Sequence, residues 1–171
     1  MLHLGNERAE FAKWAKLFLL TYAFLLRLPS EALPVRAWRG ENSLRLEGEL
    51  GIVSIMHFPF PHVLGGYLVL TLERRKNKPS GSRPVRGCWC RECRDTCPVH
   101  VLGELLANTE PGAKLFPGVS AGTALAALRT MLAVLKVPGA AEHRTHDLRR
   151  GHAKDLQMSG DILHSGVGHV L

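Results

Sequence analysis

Tyrosine is scarce in this chain of 171 residues: Tyr22 and Tyr67 are the only two, and aromatic residues together make up 6%. Both lie inside apolar stretches, where a packed ring is the ordinary outcome. Cysteine is missing outside residues 88–97, so thiol chemistry is confined to one short segment. No apolar run is long. The longest, Leu17 to Leu26 ("LFLLTYAFLL"), falls well short of the roughly 20 residues that a membrane-crossing helix needs, and reads as a buried helix. A secretory leader would begin with a compact basic start, but Glu7 and Glu10 precede the apolar run and no small-x-small cleavage pattern follows closely. The expectation is an intracellular, reduced protein without a membrane partner. Internal repeats and low-complexity segments are absent as well.

What is present suits a globular domain of ordinary size, because 46% apolar residues with 22% charged residues can build a core. Basic residues outnumber acidic ones 22 to 15, giving a net charge of +7. That excess turns the partner list toward phosphates and nucleic acid.

The chain punctuates into recognisable segments. From Ala9 to Leu28 the apolar positions Phe11, Trp14, Leu17, Phe18, Phe24 and Leu25 recur at helical spacing, which predicts one long helix broken by Pro29 and Pro34. "SLRLEGELGIVSIM" and "GYLVLTLERR" carry the alternation of strands. "RKNKPSGS", residues 75–82, combines turn chemistry with cations and is expected to join two antiparallel strands with its tip in solvent. A helix is predicted from about Ser120 to Lys136, with Leu125, Leu128, Met131, Leu132 and Leu135 on one face and Pro138 and Gly139 ending it. A last helix begins near Thr145, read as its N-cap, with Asp147 in the first turn and Gly160 as the stop. The expected fold is α+β and mainly helical, with helices around a small antiparallel sheet in a single domain over residues 1–171.

Two constellations carry chemistry. In "HDLRRGHAKDL" His146 and Arg149 stand three apart, so they share a helix face near an N-terminus whose amides favour an anion. A guanidinium can hold two oxygens and an imidazole can move a proton near neutral pH, a pairing suited to phosphoryl chemistry. The plainer alternative is a solvated basic face. In "CWCRECRDTCPVH" Cys88, Cys90, Cys93, Cys97 and His100 fall within thirteen residues. These spacings fit a tetrahedral structural zinc for which five candidates compete for four places; unligated thiols or a disulfide in a surface loop are the alternatives.

The His146 to Arg149 segment resembles the His-x-x-Arg box of tyrosine recombinases, the phage integrase family, and other segments follow in that family's order. "LLRLPSEALPV" is similar to its first arginine box, with Arg27 as the arginine and Glu31 behind it. "LERRKNKPSGS" is similar to its basic β-hairpin, with Lys76 as the lysine, and Gly168-His169 to the box after the His-x-x-Arg helix, though a few residues early. The cysteine-rich insertion at 88–100 looks most like integrase-like proteins of fungal genomes. The resemblance implies a catalytic domain, truncated at both ends, that binds DNA and takes part in recombination or integration. It implies a nucleus as the place of work and a possible oligomer on DNA. Arginines would hold the nonbridging oxygens, Lys76 would protonate the leaving oxygen and His146 would assist proton transfer, with no cofactor for the chemical step. The family's nucleophilic tyrosine has no counterpart after His169, so the chain alone is expected to be inactive. A non-catalytic nucleic-acid-binding remnant and a zinc-stabilised interaction module are the rival readings. His143, His152 and His164 are expected to be surface or core residues without a role.

Overall fold

The computed structural model describes residues 2–47, 66–75, 79–88 and 94–158. They divide into two compact units, one of residues 2–35 and 114–158, the other of residues 36–47, 66–75, 79–88 and 94–113. Five α-helices and a four-stranded sheet are present among them, an α+β arrangement. None of the described helices is long and apolar enough to cross a membrane.

The first unit is helical. Helices α1 (Leu2–Glu7) and α2 (Ala9–Ala23) pack closely because Gly5 has no side chain: a Cβ there would lie 2.6 Å from the Ala15 Cβ. Residues Leu17 to Thr21 are all buried, so α2 is covered on every side over that span. The helix stops five residues earlier than its apolar spacing predicts. Leu25 adopts φ 54°, and the Leu26 and Leu25 amides turn back to the carbonyls of Thr21 and Tyr22, the paired bonds of a Schellman terminator. A left-handed leucine costs about 1–2 kcal/mol. Full burial of its neighbours Phe24 and Leu26, worth about 1.5–3 kcal/mol each, offsets it.

A π-helical turn, Leu28–Ala32, follows. Its start is capped by Glu31, whose buried carboxylate accepts the Arg27 backbone N–H at 2.8 Å. The Leu115 amide then donates to the Val35 carbonyl and joins the two stretches of this unit. Helix α4 (Ala121–Val134) begins on a complete capping box: the Thr123 amide donates to Ser120 Oγ at 3.1 Å and the Ser120 amide to Thr123 Oγ1 at 3.0 Å. Its buried face is Ala124, Leu128 and Met131, whereas Leu135, read as sharing a face with Leu128 and Met131, is 42% exposed. Leu135 lies at the helix end, just before Lys136 takes a left-handed φ of 55°.

Helix α5 (Thr145–Met158) starts where expected, but Thr145 is already its first residue. The cap comes from inside: Asp147 Oδ2 accepts the Arg144 amide at 2.8 Å. Arg129 of α4 donates through Nε to the His143 carbonyl at 3.1 Å and fixes the approach to α5.

The second unit is a sheet with one helix on it. Strands β1 (Arg36–Ala37), β2 (Asn42–Glu47), β3 (Tyr67–Leu72) and β4 (Val85–Gly87) lie in that order. β2, β3 and β4 pair antiparallel, but β1 runs parallel to β2, so the sheet is mixed rather than antiparallel. Trp38 at φ 64° and Gly40 at φ 124° turn the chain within a few residues, and β1 is held from outside by exchange of hydrogen bonds between Ala37 and the Gly112–Ala113 backbone. Leu44, Leu46, Leu68, Leu70 and Leu72 alternate onto one face. Helix α3 (Pro98–Ala107) buries Val99, Leu102 and Leu106, and its Gly103 lies against Leu46.

The segment "RKNKPSGS" does join antiparallel strands: Leu72 and Ser82 exchange backbone hydrogen bonds of 2.9 and 2.8 Å below the turn, and Pro79 and Ser80 are exposed.

Candidate functional site

Of the residues expected at the phosphate, Arg27, His146 and Arg149 fall in the helical unit. Arg27 leaves the end of α2 half-buried, its backbone fixed by Glu31. His146 is exposed and Arg149 half-buried, one turn apart at the start of α5. The two helices meet through Tyr22, whose hydroxyl donates to Asp155 Oδ2 at 2.5 Å. Its ring stands edge-on to His152, with centroids 4.5 Å apart and planes at 88°. Arg27 thus follows within five residues the side chain that ties α2 to the helix bearing His146 and Arg149.

Burial, followed by the hydrogen bond to Asp155 and that carboxylate's charge, pushes the Tyr22 phenol up to about 12. The neutral phenol is favoured, and Tyr22 serves as a tether between helices. His152 and Asp155 had no role in the sequence reading. Their spacing of three marks a shared face, but nothing local shows that a tyrosine 133 residues from Asp155 would meet it. Asp147 is engaged with its surroundings, 3.7 Å from His143 Nδ1 and 4.0 Å from Arg150. Lys76, His169, Cys90 and Cys93 lie outside the described residues, as does Gly168.

The second unit holds a compact thiol and imidazole cluster. Cys88 follows β4 directly, its amide continuing the ladder to the Gly66 carbonyl at 3.3 Å. Cys97 is the N-cap of α3, Pro98 opens the helix, and His100 stands in its first turn. The C-x-x-H spacing therefore points two ligands from one helix end toward a third at a strand end. Cys97 Sγ donates to Cys88 Sγ across 3.7 Å, and Cys88 Sγ lies 3.8 Å from His100 Nδ1. The three ligand atoms are all within 4.8 Å of one another and could hold a metal ion. Cys97 is buried, whereas Cys88 and His100 are half-buried. Of the five candidate ligands these three come together among the described residues.

Comparison with protein families, curated proteins and solved structures returns no match.

Proposed function

We propose that the chain is a DNA-binding, tyrosine-recombinase-like catalytic core whose helical unit grips a phosphodiester with Arg27, His146 and Arg149. The observation that carries this reading is the pairing of α2 with α5 through Tyr22 and Asp155, which puts the two arginine-bearing segments into one compact unit. Phosphoryl transfer is mainly positioning and charge stabilisation, so two guanidiniums and an imidazole are the groups it asks of a protein. Arg27 and Arg149 would hold the nonbridging oxygens, and His146, exposed at the helix start, would exchange a proton with the reacting oxygen. Lys76, which lies outside the described residues, is the residue to which the family resemblance would give protonation of the leaving 5′ oxygen.

In the same proposal the Cys88, Cys97 and His100 cluster holds a structural zinc, with Cys90 or Cys93 as the fourth ligand. The sulfur separation supports this: two thiolates bound to one tetrahedral zinc at about 2.3 Å lie roughly 3.8 Å apart, and the two sulfurs here are 3.7 Å apart. The metal would join the end of β4 to the start of α3 and supply no step of the reaction.

The test is fluorescence anisotropy of labelled duplex DNA with the full chain across a salt series. Affinity should fall steeply with salt, and Arg149→Ala should weaken binding and flatten the logarithmic salt slope by about one. Binding that is indifferent to salt, or to both Arg27→Ala and Arg149→Ala, would overturn the phosphate reading. Elemental analysis after reducing purification should find one zinc per chain.

A further inference from the structure

Cys88 and Cys97 have a second chemistry available besides metal binding. Their sulfurs are 3.7 Å apart, so forming a bond of about 2.05 Å requires an approach of about 1.7 Å. The pair is also unequal in access: Cys88 is half-buried at the end of β4, and Cys97 is buried at 5% exposure in the N-cap of α3. An oxidant arriving from solvent therefore meets Cys88 first and finds a second sulfur directly behind it. That order is the arrangement of an attacking and a resolving thiol.

We infer that Cys88 and Cys97 are a peroxide-oxidisable thiol pair, whose closure into a disulfide expels the metal bound between them. The metal half of this inference rests on the zinc reading above; the thiol half does not. In the first step the Cys88 thiolate attacks one oxygen of hydrogen peroxide. The O–O bond breaks, Cys88 becomes a sulfenic acid, and the other oxygen leaves as hydroxide, which is protonated to water. In the second step the Cys97 thiolate attacks the Cys88 sulfur. The S–O bond breaks, the S–S bond forms, and a second hydroxide leaves to become water. The two sulfurs together give up two electrons and the peroxide accepts both; the two hydroxides each take a proton from solvent, because zinc-bound thiolates carry none.

The consequence for the metal follows from ligand chemistry. Zinc is held by thiolates, and a disulfide sulfur is no longer one. Closure removes two of the four proposed ligands and leaves His100 with a single thiolate, too few to keep a tetrahedral zinc. The metal must then leave. A dithiol reductant restores both thiolates and with them the site.

The experiment uses the full reduced chain loaded with one equivalent of zinc and treated with stoichiometric hydrogen peroxide. Released zinc is followed with a chromogenic chelator, and disulfides are located by mass mapping of the alkylated protein. The expected result is stoichiometric zinc release with a Cys88–Cys97 bridge, both reversed by dithiothreitol. Because Cys88→Ser also removes a proposed zinc ligand at the end of β4, the decisive variant is Cys90→Ser with Cys93→Ser, which leaves only the proposed pair. It should form the same bridge. Bridges confined to Cys90 or Cys93, or irreversible oxidation of Cys88 with no bridge in either protein, would overturn the inference. A chain that takes up no zinc before peroxide is added would sink the zinc reading alone, and the same map would still decide the thiol pair.

Discussion

Gly81 occupies a left-handed φ of 79° under the turn that carries the cationic segment, and Gly81→Ala tests whether that turn has a single permitted form. A Cβ at this position would collide with the Leu72 carbonyl oxygen and lie 2.6 Å from the Glu73 oxygen. Both are backbone atoms and cannot swing aside as a side chain can. The left-handed backbone alone costs an alanine about 1 kcal/mol. Relieving the collision means opening the reciprocal bonds between Leu72 and Ser82, worth about 1 kcal/mol each. The sum is about 3 kcal/mol, confined to the β3–β4 end. Hydrogen exchange is the assay, since local opening is read directly at the Leu72 and Ser82 amides. A cost of that size should speed their exchange about 100-fold. Gly118 provides the control: it has a similar φ of 70° but nothing within 4 Å of its would-be Cβ. Gly118→Ala should therefore show the backbone cost of about 1 kcal/mol and no more. Equal effects of the two substitutions, or unchanged exchange at Leu72 and Ser82 in Gly81→Ala, would refute the steric argument.

Lys136→Gly should raise stability by about 1 kcal/mol in urea denaturation, because an exposed lysine holds the left-handed position at the end of α4 that glycine adopts without strain. Ser120→Ala should lower it by about 1 kcal/mol by removing the acceptor of the Thr123 amide. An ultraviolet titration should show one tyrosine ionising at about 12, a component missing from Tyr22→Phe and moved only part of the way down by Asp155→Asn, since burial is the larger cause. The fold favours the neutral phenol, so this contribution is complete below pH 10 and is lost as the pH rises toward 12; solvent at the half-exposed pair reduces it to about 1 kcal/mol.

The features that sequence made legible are those decided by neighbours in the chain. Ser120 and Thr123 declare the start of α4 because both halves of the capping box lie within three residues. The β3–β4 turn is legible for the same reason, its turn residues and its bridging pair being local. Where a distant partner decides, the local signal misleads. Leu25 continues the apolar spacing of α2, yet burial of Phe24 and Leu26 outweighs its propensity and turns the chain. β1 is parallel because the backbone near Gly112 and Ala113 holds it, a constraint carried by residues some seventy positions away. The candidate sites divide along the same line. Residue types and spacing single out the thiols and the His146–Arg149 face, but not which ligands converge or what braces the helix. The choice of Cys88 to join Cys97 and His100 follows from β4 ending beside the start of α3. The brace on α5 follows from Tyr22 reaching Asp155. In each case the chemical group is local, and a contact distant in sequence sets its position.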